Sequence, residues 1–309
     1  EMRERFGDDR RSGIELSSAD VSMEDLIADD QVIISISHAG YIKRTRLSEY
    51  RSQSRGGVGS KGATTRDEDF VEHIFAATNH NWLLIFTANG RCFWMRIYEV
   101  PEGSKTSKGR AIQNLIQLEP GDKVLTYIPV IDLKDREYVE NNFVVLATKK
   151  GLIKKTTLAA YSRPRANGIN AITVREGDEL LTARLTDGNN EIILSLRSGK
   201  AIRFNESTAR AVGRTAMGVK GVTLGHDEDE VIGMVCVRDA ASEVLVVSEN
   251  GYGKRSPVED YRITNRGGKG VKTLSITEKT GELISILNVT DEDDLMIINR
   301  SGITIRMGV

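Results

Sequence analysis

The chain has 309 residues, 39% of them hydrophobic and 28% charged, which excludes disorder and allows one large or two ordinary domains. Forty-three basic residues stand against forty-four acidic ones, for a net charge of −1. That sum argues against a nucleic-acid partner, so the distribution of the charges has to decide. Two cysteines, Cys92 and Cys236, have no CxxC spacing and read as buried thiols in a reducing compartment. No apolar run reaches the roughly 18 residues needed to cross a membrane, and no membrane partner is expected.

Residues 1–21 are charged at their start and weakly helical, and read as the exit from a preceding domain. From residue 22 onward a pattern recurs six times: an apolar run, a turn ending in glycine, then a strand bearing Lys or Arg. The copies begin near Val32 (VIISISHAGY), Trp82 (WLLIFTANGR), Phe143 (FVVLATKKGL), Ile192 (IILSLRSGK), Val244 (VLVVSENGY) and Leu295 (LMIINRSGI). The turn glycines Gly40, Gly90, Gly151, Gly199, Gly251 and Gly302 are separated by 50, 61, 48, 52 and 51 residues. A period near 50 built from strands belongs to propeller-like blades. The long second spacing marks an insertion at 131–142, expected as a surface loop. Val-, Ile- and Leu-rich runs suit strands buried on both faces. Further strands are expected at 111–118, 169–174, 219–224 and 271–276, with closing stretches such as 179–185 and 282–289. The expectation is an all-β, six-bladed disc of about four strands per blade over 22–309, its sixth repeat truncated, behind a short helical or irregular segment.

Four positions after each turn glycine stand Arg44, Trp94, Lys155, Arg203, Arg255 and Arg306, five of six basic. One position earlier come Lys43, Lys154 and Lys254, and two positions later Arg46 and Arg96; Arg91 and Lys200 open their strands. The loops that follow are rich in Gly and cations: Lys105, Lys108 and Arg110, then Arg163 and Arg165, Arg214 and Lys220, and Arg266 and Lys269. Such loops let backbone amides approach a phosphate while side chains neutralise it. The acidic clusters lie elsewhere, at 29–30, 67–69, 227–230 and 291–294. All these cations are therefore candidates for a curved track of phosphate contacts to duplex DNA, sequence-tolerant because no base-reading pattern accompanies them. Tyr50, Tyr161 and Tyr261 recur ten residues after their glycines and read as structural plugs.

The first-repeat loop reads Gln53, Ser54, Arg55, Gly56, Gly57, Val58, Gly59, Ser60, Lys61, Gly62. It resembles the signature loop Gln-Arg-Arg-Gly-Gly-Lys/Arg-Gly of the DNA gyrase A C-terminal domain, departing at Ser54 and Val58. Residues 264–270 are a second near-copy. The resemblance implies a β-pinwheel whose blades exchange strands and which wraps duplex DNA for the cleavage core of a bacterial, cytoplasmic, nucleoid-associated enzyme. It implies as partners the rest of gyrase A, together with gyrase B, in an A2B2 holoenzyme that uses ATP and Mg²⁺ to supercoil DNA. In that family the cleaving tyrosine and the ATP site lie outside this domain, so no catalysis and no cofactor are expected here. The related C-terminal domain of topoisomerase IV and a protein-interaction propeller are the alternatives. No metal site is expected: His38, His73, His80 and His226 lack ligand spacing.

Overall fold

The computed structural model describes residues 5, 7, 23–49, 69–104, 106–239, 241–298 and 304–309. The exit segment expected at 1–21, save two residues, and the signature loop at 53–62 lie outside the described residues, as does Lys105.

Each repeat folds as a hairpin followed, after a loop, by a third antiparallel strand. The first three blades are β1 (Gln31–Ser37), β2 (Tyr41–Arg46) and β3 (Val71–Thr78); β4 (Trp82–Thr87), β5 (Arg91–Arg96) and β7 (Val124–Val130); and β8 (Phe143–Thr148), β9 (Leu152–Thr157) and β11 (Leu180–Thr186). The fourth and fifth are β12 (Glu191–Leu196), β13 (Lys200–Asn205) and β15 (Val231–Val237), then β16 (Glu243–Ser248), β17 (Gly253–Pro257) and β19 (Leu283–Val289). The loop after each hairpin also supplies a two-residue strand to the blade before it. These are β6 (Arg110–Ala111) on β2, β10 (Ile169–Asn170) on β5, β14 (Val219–Lys220) on β9 and β18 (Val271–Lys272) on β13. The strands expected at 111–118, 169–174, 219–224 and 271–276 are thus far shorter, and they form the outer edge of a neighbour's sheet.

Six blades are not found. Four sheets have four strands and the fifth has three; the sixth repeat gives only the hairpin β20 (Asp294–Ile298) with β21 (Thr304–Gly308). The reason lies in the exchange. A full blade needs a closing strand from its own repeat and an edge strand from the next, and the sixth hairpin has neither among the described residues.

The sheets stack face to face, so alternate residues of one strand serve two cores. Leu83 and Ile85 pack with Val32, Ile34 and Ile36 of the first blade, whereas Leu84 and Phe86 pack with Val144 and Leu146 of the third. All four residues Leu83 to Phe86 are 0% exposed. That explains an unbroken apolar run in an antiparallel strand, where one wet face would leave an alternating pattern. Val145 and Ala147 then meet Ile192 and Leu194, and Ile193 meets Val244 and Val246.

Two devices set the register. The turn glycines adopt the left-handed conformation that a tight hairpin needs, as at Gly90 (φ 80°). An aspartate at the start of the closing strand accepts the N–H of the residue before the turn glycine. Asp69 takes Ala39 at 2.9 Å, Asp122 takes Asn89 at 3.0 Å, Asp178 takes Lys150 at 2.9 Å and Asp229 takes Ser198 at 3.1 Å. Several acids at repeat junctions are therefore turn caps. The insertion at 131–142 contains a short helix, Arg136–Asn141, capped by Asp135.

Candidate nucleic-acid interface

The most regular cation of the sequence, four residues after the turn glycine, does not face solvent. In the first, third and fourth blades it points into the 3-10 turn of the next repeat and donates to a main-chain carbonyl there. Arg44 Nε reaches Val100 O at 3.2 Å, Lys155 Nζ reaches Glu206 O at 3.2 Å, and Arg203 Nη1 reaches Val258 O at 2.8 Å and Tyr261 O at 3.0 Å. Trp94, the exception to the basic pattern, does the same: its indole Nε1 reaches Tyr161 O at 2.9 Å. What recurs at this position is an N–H donor. Arg255 repeats the contact to Val309 O at 3.1 Å, from the sixth hairpin.

Carboxylates complete these clips. Arg203 Nε lies 2.6 Å from Glu191, and Arg255 pairs with Glu243 and Asp291. Lys155 lies 3.9 Å from the fully buried Glu206. Arg46 and Arg44 share Glu102, at 3.3 and 3.5 Å. Arg96, 8% exposed, stacks 4.0 Å above the Trp82 ring and pairs with Glu24.

The lysines one position earlier are also consumed. Lys43 Nζ donates to Ser104 O at 3.0 Å and Ser107 O at 2.9 Å; Lys154 Nζ donates to Ala171 O at 2.6 Å and to Arg214 O. Burial lowers the pKa of both, against the pull of Glu49 on Lys43; Lys154 is pushed down to about 8, with Arg214 adding to the effect. Lys254, at the same position of the fifth blade, is exposed, because no edge strand covers β17. The strand cations Lys43, Arg44, Arg96, Lys154, Lys155, Arg203 and Arg255 are thus all engaged by acceptors within the protein, where the sequence leads one to expect an outward-facing phosphate track. The side chain of Arg306 lies outside the described residues.

The loops behave differently. Lys108, Arg110, Arg163, Arg165, Lys220 and Lys269 are exposed, and none has a side-chain hydrogen bond or ion pair within the described residues. Lys200, half-buried, sits opposite Lys272 across β13 and β18. Arg91, Arg214 and Arg266 are half-buried and tie loops together. Arg91 holds Asn170 Oδ1 at 3.0 Å and Asn167 O at 2.7 Å; Arg214 reaches Asn170 O at 3.4 Å; Arg266 reaches Thr208 O at 3.4 Å and also Lys220 O. Successive loops are joined edge to edge, Thr173 Oγ1 to Thr215 O at 2.7 Å and Thr223 N to Gly268 O at 2.8 Å.

Residues 103–118, 162–175, 209–225 and 261–276 contain no Asp or Glu. They also hold exposed cations that a strand-centred reading passes over: Arg175, Arg210, Arg262 and Lys272. The signal for them is the run of windows free of carboxylate. Because these segments carry the edge strands, the cations form the outer rim. The loop glycines have a steric task. A Cβ on Gly270 (φ 73°) would sit 2.5 Å from Ala201 O, and one on Gly218 2.6 Å from Ile153 O, so only glycine lets the edge strand dock. Tyr161 and Tyr261 are buried plugs, 0% and 3% exposed.

Burial raises the thiol pKa of Cys92 and Cys236, the latter to about 12, and the two do not pair. Among the described residues no group of His, Cys, Asp and Glu could hold a metal ion, and no helix is long and apolar enough to cross a membrane.

A strand-exchanging propeller edged by a carboxylate-free cationic rim is the class of protein that fold and surface define. The family model described as DNA gyrase C-terminal domain, beta-propeller, matches residues 31–78, 81–131, 142–187, 197–238 and 242–290, one span per blade, and the chain belongs to that family. It is 49% identical over 311 aligned positions to the DNA gyrase A protein of Staphylococcus aureus strain NCTC 8325 / PS 47, and 48% to that of strain COL. Both alignments cover 100% of this chain and 34% of the relative, so the chain spans about a third of the relatives' length. Among solved structures, the C-terminal domain of DNA topoisomerase IV superposes with a TM-score of 0.75 at 25% identity, over 91% of this chain and 84% of that one. A DNA gyrase A C-terminal domain gives 0.69 at 23% identity, over 90% and 89%.

Proposed function

We propose that this chain binds duplex DNA along the rim formed by the exchanged-strand loops, and bends it as the wrapping domain of a gyrase A protein. One observation carries the reading: the sequences of the four loops that supply the edge strands contain thirteen Lys and Arg and no carboxylate, in a chain whose net charge is −1. Each phosphate neutralised releases counterions, so a curved row of cations binds the backbone without reading bases. The chain supplies no catalytic step and no cofactor. The A2B2 holoenzyme, with gyrase B, ATP and Mg²⁺, converts the bent segment into negative supercoils at the bacterial nucleoid. The loop 53–62 occupies the first-repeat place in this series, and replacing it with alanines reduces bending more than affinity.

The test is duplex binding by the 309-residue chain across a salt series, with circularisation of short DNA as the readout of bending. A steep fall of log K with log salt and accelerated circle formation are expected. Salt-independent binding would overturn the proposal in favour of a protein-interaction propeller.

A further inference from the structure

In two blades a cleft opens between the hairpin turn and the edge-strand loop of the next repeat, and the charges lining the two differ. In the first blade the cleft, of about 480 Å³, lies between Ser37–Gly40 and Ala111–Gln113. Its charged lining is Glu72, Asp122 and Lys123; Glu72 stands 3.4 Å from His38 Nδ1 and 3.9 Å from His73 Nε2. In the third blade the equivalent cleft, of about 1010 Å³, lies between Lys150 and the segment around Lys220. Its charged lining is Lys150, Arg175, Lys220 and Arg266 against the single carboxylate of Asp227.

These four cations come from three consecutive repeats: Lys150 from the third-repeat turn, Arg175 from the third-repeat loop, Lys220 from β14 and Arg266 from the fifth-repeat loop. Two are already positioned by the main chain, Lys150 on Asp227 O at 3.1 Å and Arg266 on Lys220 O. Arg175 and Lys220 are exposed and have no hydrogen bond or ion pair from their side chains within the described residues. Bringing cations together from separate strands raises their mutual repulsion, and an oxyanion placed among them relieves it. An ordinary ion-paired surface alternates its signs; this cleft does not.

The geometry points to a seat for phosphate oxyanions in this third-blade cleft, where the rim meets the hairpin-turn side of the disc. The chemistry serves either a phosphodiester of a duplex running along the rim or a free polyphosphate. The rim reading above bears only on which of these anions fills it. On DNA, the seat acts as a fixed point of the path, since it engages three repeats at once.

The experiment compares the wild-type chain with an Arg175→Gln/Lys220→Gln double variant, both substitutions at exposed side chains without structural partners. Tripolyphosphate is titrated while the backbone amide signals of residues 218–226 are followed by NMR, and duplex affinity is measured across a salt series. Wild type is expected to shift in those signals and the variant to lose the response. The variant's duplex salt slope is expected to fall by roughly 1.8, about 0.9 for each of two phosphate contacts. Loss of the tripolyphosphate response with an unchanged duplex slope keeps the seat and assigns it to free polyphosphate. If neither readout changes while a Lys108→Gln/Arg110→Gln/Arg163→Gln/Arg165→Gln variant flattens the slope, the seat is overturned and the rim stands. If neither set of substitutions alters the slope, the rim reading itself falls.

Discussion

Arg203 on β13 and Arg165 in the loop 162–175 are both repeat-associated arginines, yet they do different things. Arg203 is 7% exposed and is held by Glu191 and by two carbonyls of the following repeat. Arg165 is exposed, and its side chain has no partner among the described residues. The strand series joins blade to blade; the loop series is open to something outside the chain. The acceptors near a cation, more than its recurrence, decide which role it takes. The 3-10 turn of the next repeat presents carbonyls at its start (Glu206, Val258) or just beyond or at its end (Val100, Tyr161, Tyr261), and a donor from the preceding blade bonds them. A loop that only delivers a two-residue edge strand makes no such demand on its side chains.

The widest separation between the two series is expected in stability. Arg203→Ala leaves the half-buried Glu191 unpaired and Tyr261 O without its 3.0 Å bond, so the unfolding free energy is expected to fall by about 3 kcal/mol, the low end for breaking a buried pair. Urea denaturation reads this directly, and a loss below about 1 kcal/mol would place Arg203 with the loop cations after all.

Lys154 sharpens the comparison through pH. Its ammonium is buried, and the folded protein releases the proton near pH 8, whereas the unfolded chain keeps it until its ordinary value of 10.5. Between those values the unfolded state binds more protons, so this group makes stability rise with pH across the window. The gain approaches a few kcal/mol, since each pKa unit corresponds to about 1.36 kcal/mol. The measurement is the difference in unfolding free energy between wild type and Lys154→Met from about pH 7 to 11, the span that brackets the two pKa values. The difference should move toward wild type as pH rises, and a flat difference would show that the buried amine stays charged.

Trp94 separates donor from charge. Trp94→Phe keeps an aromatic ring but leaves Tyr161 O without its 2.9 Å bond, at an expected cost of about 1–3 kcal/mol. No change in DNA salt slope should accompany it. Trp94→Arg, which restores a donor, should recover part of the loss in thermal unfolding; failure to recover would mean that ring packing, not the N–H, holds this junction.

Much of this architecture is legible in the residues themselves. The period of about 50 and the turn glycines place the hairpins, because a tight turn demands positive φ and each hairpin demands its own turn. The strand series misleads, because alternation marks Arg44 and Lys155 as candidates for an outward face, while only the next repeat's turn shows that a carbonyl waits there. Trp94 is the clue: a neutral donor inside a basic series points to a shared acceptor. The exchange of edge strands is implied by the resemblance, but their length of two residues is not, since nothing in a Gly-Val-Lys segment states how far pairing extends. Six repeats become five blades and a hairpin for the same reason, a blade being assembled from two repeats.

The smallest stability effect is expected at the rim, and it decides the comparison from the other side. Arg110, Arg163, Arg165 and Lys269 are exposed on loops whose side chains hold nothing else in place. Replacing all four with Gln should change the unfolding free energy by no more than about 0.5 kcal/mol per site, the range for surface positions without a structural role. The same variant should lose up to roughly 3.6 in the slope of log K against log salt, about 0.9 for each phosphate contact removed. Stability and salt dependence therefore move in opposite patterns for the two series: Arg203→Ala destabilises and leaves the slope alone, and the rim variant does the reverse. A rim variant that unfolds early would show that the loops are fasteners too. One that keeps its full slope would move the duplex elsewhere on the disc, to cations such as Lys254 that the fifth blade leaves uncovered.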